Sequence, residues 1–225
     1  MTGVQTCALP ICFPVTIGRF VRVDDVDMVD RVDMVDEKVK VKAMNMNVVL
    51  RGQEIRAGLK TFLSEDVSRQ AICYLEMTGF FTSPASSKYH LCLEGGLVVH
   101  SHHVANMLLF LTRQHKLTWG CERSPVIVGF LHDVCKAGLY VKQDDGTYKA
   151  DKMRASLGHG EESLYRIVSG MGIDLTEEEA MCIRWHMGSF DSEKNWDLYT
   201  RAIKRYPNVL YTHMADMIAS HVIEK

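Results

Sequence analysis

Ten histidines are spread along the chain, and one of them stands out through what precedes it. Val126-Ile127-Val128-Gly129-Phe130-Leu131 is an apolar run, and it ends in His132-Asp133, an imidazole beside a carboxylate. Burying a carboxylate straight after such a run costs several kcal/mol unless the group is paired or bound to a metal. Ser124-Pro125 has the chemistry of a helix start and Gly138 that of a stop, so the run is expected to be one buried helix reaching Lys136. On that helix His132 and Asp133 lie about 100° apart, both within reach of one ion, with Lys136 a turn later. Four further positions put a metal-binding side chain into an apolar helical context: His100 after Leu97-Val98-Val99, His159 in Leu157-Gly158-His159, His186 after Ile183-Arg184-Trp185, and Asp216 between Ala215 and Met217. Each alone is more often a hydrogen-bonded core histidine, or a capping or salt-bridged aspartate, than a ligand. Six such residues in five apolar settings are harder to explain as independent accidents, and together they point to a metal centre. Imidazole and carboxylate in combination suit Mn, Fe, Co, Ni or Zn, whereas Mg prefers oxygen alone.

The elements that must position these residues are almost all helical. Ile55, Leu59 and Phe62 share one face of a helix that starts near Arg51, and Ser64 caps a second helix that Gly79 stops. A loop from Phe80 to Leu93 leads to Gly95-Gly96, which opens a long helix from Leu97 to about Gln114. Asp144-Asp145-Gly146-Thr147 is a turn signal between two short apolar stretches and predicts a small hairpin. A helix around Glu161 to Ser169 follows. Thr176 and Glu179 form a capping box for a helix from Glu177 to about His186, and Pro207 begins a last helix running through Asp216 to His221. The fold expected is all-α, a bundle of about seven helices with a short β-hairpin.

With 225 residues, 47% of them hydrophobic, there is material for one domain with a full core. A net charge of -2 gives no electrostatic reason to expect nucleic acid. Seven scattered cysteines without a Cys-x-x-Cys spacing argue against a disulfide framework and a zinc knuckle, and a reducing cytoplasm is the simplest setting. No apolar stretch is long enough to span a bilayer. Residues 1–43 read as an extension of doubtful biological origin, and 44–225 as a single domain. Thr2 to Ile11 resembles the conceptual translation of a sequencing-library adapter, and a hexad repeat, Val26-Asp27-Met28-Val29-Asp30-Arg31 then Val32-Asp33-Met34-Val35-Asp36-Glu37, matches no helix or strand period.

A histidine after Gly-Gly, an adjacent His-Asp followed three residues on by Lys, and a distant Asp on a late helix form a pattern that resembles the HD-domain metal-dependent phosphohydrolase superfamily. The resemblance covers about residues 94 to 222 and falls on His100, His132, Asp133, Lys136 and Asp216, with His159 and His186 similar to the extra histidines of its two-metal members. It implies an HD-like bundle in which His100, His132, Asp133 and Asp216 hold one divalent ion, and Asp133 bridges to a second held by His159 and His186. It also implies hydrolysis of a phosphomonoester or phosphodiester, a nucleotide above all, by metal-activated water, with Asp133 and Lys136 at the catalytic point. The cyclic-dinucleotide branch is disfavoured, because Met187-Gly188-Ser189 follows His186 where that branch has Gly-Tyr-Pro. Two other readings stay open: a non-catalytic signalling module that binds metal or nucleotide, and a nuclease resembling 3'-5' exoribonucleases. Neither a membrane nor, by its charge, a nucleic acid is an expected partner.

Overall fold

A computed structural model describes residues 37–151, 153–154 and 157–224. The adapter-like segment and most of the hexad repeat lie outside the described residues. The chain divides into two compact units, Met1–Lys42 and Ala43–Lys225, and all candidate ligands belong to the second. Helix α1 spans Glu37–Phe62, so the boundary expected near residue 43 falls within a helix.

Local chemistry accounts for most helix ends. Helix α2, Glu65–Met77, is capped by the Ser64 hydroxyl, which accepts from the Val67 N–H at 3.4 Å. At its other end Gly79 N–H bonds to Glu76 O and Phe80 N–H to Leu75 O, and the buried Phe80 side chain closes the turn over buried Leu75. Helix α3, Gly96–His115, begins after Gly95, whose φ of 77° and contact with Val48 leave no room for a side chain. Helix α4 is Ser124–Leu131, and all eight of its residues are buried.

Two expectations about α4 are corrected. Ser124 is not its cap but its first residue, and its hydroxyl donates to Glu179 Oε1 at 3.0 Å. The helix also stops at Leu131 instead of running on to Lys136: Asp133 leaves helical geometry at φ -109°, ψ 19°, and Val134–Lys136 make one tight turn. A side chain drives the change, since His132 Nδ1 bonds to the Gly129 carbonyl at 2.9 Å and competes with the backbone ladder. The doublet therefore sits on a corner.

Strands β1, Tyr140–Lys142, and β2, Tyr148–Ala150, form the antiparallel hairpin expected, with Val141 opposite Lys149. Helix α5 is His159–Tyr165 and continues into a wider turn, Arg166–Gly170. Helix α6 is Glu177–Arg184, with the Thr176–Glu179 capping box in place; it ends before His186, which occupies the following turn. Helix α7, Trp196–Arg205, was not expected. Helix α8, Asn208–Ile218, follows Pro207 and runs into a last turn, Ala219–Ile223.

Eight α-helices and one hairpin among the described residues make the fold all-α. Helix α3 is its axis, packed against α4 and α8, with α6 closing against both. Gly129 permits a close approach of α4 to α3, because a Cβ there would lie 2.3 Å from Ala105 Cα. No helix among the described residues is long and apolar enough to cross a membrane.

Candidate metal centre

The axis helix carries His100 fully buried in its first turns, and the backbone contact at Gly129 brings the α4 corner against it. His132, Asp133 and His186 are also buried, at 1% exposure or less. His100 Nε2 lies 3.2 Å from Asp216 Oδ1 and 3.6 Å from Asp133 Oδ2, and His132 Nε2 lies 3.5 Å from the same Asp133 oxygen. The ligand atoms of His100, His132 and Asp216 fall within 4.8 Å of one another. Adjacent donors around an ion bound at ~2.1 Å stand ~3.0–3.4 Å apart, so these separations are close to those of a coordination shell.

The other Asp133 oxygen faces a second group. His186 Nε2 is 3.3 Å from Oδ1, and Asp133, Cys135 and His159 supply a further set of ligand atoms within 4.8 Å of one another. Lys136 Nζ pairs with Asp133 Oδ2 at 2.6 Å. Lys136 and Asp216 are 12% and 15% exposed, and His159 is exposed, so solvent reaches the centre from their side. Two open surface grooves, of about 600 and 570 Å³, lie elsewhere: Lys60 and Arg69 line one, Trp119 and Asn208 the other, and no candidate ligand lines either.

Hydrogen bonding fixes which ring nitrogen faces inward. His132 Nδ1 and His186 Nδ1 bond to the carbonyls of Gly129 and Ile183 at 2.9 and 2.7 Å; a carbonyl only accepts, so each Nδ1 carries the proton. His100 Nδ1 is held in the same way by the Glu224 carboxylate at 3.0 Å. Each Nε2 of neutral His100, His132 and His186 is then a bare acceptor, buried and without a hydrogen-bond partner, opposite carboxylate oxygens that are also acceptors. Acceptors facing acceptors in a low dielectric call for a cation between them. A divalent ion of the imidazole and carboxylate class satisfies this donor set, and the residues present fit one.

Without an ion, a proton takes the cation's place at His100 and His186, whose pKa values the facing carboxylates raise. Burial opposes charge on His100, but Asp133, Asp216 and Glu224 outweigh it and raise its pKa well above 6.5. Burial likewise opposes ionisation of Asp133, yet Lys136 and the surrounding histidines hold its pKa well below 3.8; Asp216 is lowered too, against burial, by His100 and His132. His132 is pushed down by burial to about 4 and stays a neutral donor.

All six sequence candidates thus gather around Asp133, four of them from helix ends or turns and not from helix interiors. Only His100 and Asp216 sit within helices; His132 caps α4, Asp133 follows it, His159 opens α5 and His186 lies beyond α6. A helix end suits a ligand because its unpaired backbone carbonyls orient the ring, as Gly129 and Ile183 do here. Neighbouring polar residues have partners of their own: His102 Nε2 pairs with Glu54 Oε2 at 2.6 Å, Arg184 with Glu161 and Asp191, and Arg166 with Glu162. His213 Nδ1 donates to the His186 carbonyl at 2.8 Å and so supports a candidate ligand from behind. Trp185 packs in the core, whereas Phe190 is 65% exposed.

Three residues near the centre escaped the sequence reading. Glu224 holds His100 and His103; His90 Nε2 is a buried, unpartnered atom 3.7 Å from Glu224 Oε2; and Cys135 Sγ lies 3.3 Å from His159 Nδ1. Only Cys135 carried a readable signal, its place two residues after Asp133.

Comparison of the chain with protein-family models, with curated proteins and with solved structures finds no match in any of the three.

Proposed function

We propose that the protein is a metal-dependent phosphohydrolase that acts in a reducing cytoplasmic setting on a phosphomonoester or phosphodiester, with nucleotides as the expected substrate class. The observation that carries this reading is the set of bare Nε2 atoms of His100 and His132 opposite the Asp133 and Asp216 carboxylates. The resemblance of the same residues to the HD-domain superfamily supplies the reaction class. A divalent ion bound there supplies a Lewis acid for a phosphoryl oxygen and a water acidic enough to attack at neutral pH.

The chain's own residues have separable tasks. His100, His132, Asp133 and Asp216 hold the first ion. His186, which faces Asp133 Oδ1, and His159 would hold a second. Lys136 is committed to Asp133 Oδ2, so its task is to orient that carboxylate rather than to bind phosphate. Backbone carbonyls of Gly129 and Ile183 hold the Nδ1–H groups of His132 and His186 and so turn each Nε2 inward as the ligand atom.

One observation favours a second reading, a metal-binding module without turnover: Asp133, at the middle of the centre, is only 1% exposed. Elemental analysis of the purified protein, then hydrolysis of a chromogenic phosphodiester and a nucleotide panel with Mn2+, separates the two. The phosphohydrolase reading expects bound ion and turnover on at least one nucleotide. Loaded protein inert on every substrate establishes the module, activity on oligonucleotides alone establishes a nuclease, and protein that takes up no ion overturns the metal centre itself.

A further inference from the structure

The Glu224 side chain has no exposed surface, although its neighbours Val222 and Ile223 are 65% and 44% exposed. The turn Ala219–Ile223 that ends α8 directs it inward. There it meets three imidazoles. His100 Nδ1 lies 3.1 and 3.0 Å from its two oxygens, His103 Nδ1 lies 3.0 Å from Oε1, and His90 Nε2 lies 3.7 Å from Oε2. His90 is delivered by a turn in which the Ser86 hydroxyl accepts from the N–H groups of Tyr89 and His90 and donates to the His90 carbonyl. Its ring packs on that of His100 with centroids 4.9 Å apart.

His100 differs from the other two buried histidines in one respect. His132 and His186 have their outer nitrogen held by the carbonyl three residues earlier on their own segment. His100 lies inside α3, where that carbonyl is committed to the helix, so its outer nitrogen needs an acceptor from elsewhere. A buried carboxylate is a stronger acceptor than a carbonyl, and it raises the basicity of the imidazole it holds.

We propose that Glu224 is the positioning residue of the metal centre: it accepts from His100 Nδ1–H and so fixes the tautomer and ring angle that turn Nε2 onto Asp133 and Asp216. His103 and His90 flank this carboxylate and seat it. The proposal rests on the metal-centre reading above, and places the tuning of the first ion's affinity at a residue that does not touch the ion.

The test is Glu224→Gln, which keeps shape and acceptor but removes the charge. In the full chain, competition with a chromogenic chelator should show Mn2+ and Zn2+ bound about 10–100-fold more weakly than by the unaltered protein. The metal-free variant should melt below the metal-free parent, since the buried carboxylate loses its charge, but should stay cooperatively folded at the temperature of the metal titration, so that the weaker binding is read on folded protein. Glu224→Asp, which keeps the charge, should bind more tightly than Glu224→Gln. Equal affinity of parent and Glu224→Gln, or a loss matched by collapse of the metal-free fold, overturns the proposal. A second measurement needs no variant: in the zinc-loaded parent, long-range proton–nitrogen NMR should show His100 bound through Nε2 with Nδ1 protonated, and binding through Nδ1 overturns it. A parent that binds neither ion removes the metal centre itself, an outcome distinct from a loaded parent indifferent to Glu224→Gln.

Discussion

At the scale of single residues, the centre is a problem of uncompensated charge, and Lys136 is its most direct probe. Asp133 is 1% exposed, and Lys136 is the nearest permanent cation to it, 2.6 Å away. Removing one partner of a buried pair costs about 3–5 kcal/mol, because the other is left charged without compensation. Lys136→Met should therefore destabilise the metal-free protein by roughly that amount, and less once Mn2+ is present to neutralise Asp133; chemical denaturation with and without chelator measures both. Equal losses in the two states would show that no cation reaches Asp133. The histidines add a pH dependence. His100 has a folded pKa above its unfolded 6.5, so its contribution to stability is fully present below pH 6.5 and is lost as pH rises through the folded value. Asp133, Asp216 and Glu224 are lowered from 3.8, 3.8 and 4.5, so theirs is present above those values and lost as acid carries pH down through the folded ones. An incoming ion must also displace the His100 proton. Ion affinity should accordingly rise from pH 6 to pH 8 with release of protons, countable by calorimetry in two buffers of different ionisation enthalpy. Affinity that does not change over this range would mean that His100 is not a ligand.

At the scale of elements, the sequence was informative wherever a helix end is set by its own neighbours. Ser64 and the Thr176–Glu179 box mark helix starts within four residues of the groups they cap, and both are as expected. It was misleading where a side chain far along the chain, or a ring folded back on its own backbone, decides the ending. Ser124 looked like a cap because nothing local reveals Glu179, 55 positions away, and the α4 run looked longer because the His132–Gly129 bond is invisible to hydrophobic periodicity. Helix α7 was missed although Trp196, Tyr199 and Ile203 do recur at helical spacing, since polar residues dominate the segment between them. The turn after α6 holds the element-scale prediction. His186 sits there with Nδ1 fixed by Ile183 and its carbonyl fixed by His213, facing Asp133 Oδ1. If two ions bind, His186→Ala should reduce the Mn2+ stoichiometry from two to one and cut turnover at least ~100-fold, since losing a ligand exceeds the 10–100-fold typical of outer partners. Unchanged stoichiometry and rate would assign His186 to structure alone.

At the scale of the whole molecule, the composition of the site was legible and its support was not. The six candidates could be found because each interrupts an apolar stretch, whereas Glu224 interrupts nothing and its partner His100 lies 124 positions earlier. His90, in a polar loop after Ser87-Lys88-Tyr89, gave no contrast either. What holds for support holds for extent. Every buried core residue from Ile55 to Ala219, and every candidate ligand, lies in the unit Ala43–Lys225. The part of α1 nearest the division contributes little to that core: Met46, Val49 and Leu50 are 56%, 57% and 47% exposed, and the first fully buried large side chain of the helix is Ile55. A chain begun at Ala43 should therefore fold, load the same number of ions and melt within about 2–4 °C of the full chain, the shift that ~1 kcal/mol produces at this size. The comparison needs calorimetric melting and elemental analysis of both chains side by side. A shortened chain that melts far lower, or that no longer takes up metal, would show that residues 1–42 sustain the centre and that the second unit is not self-sufficient.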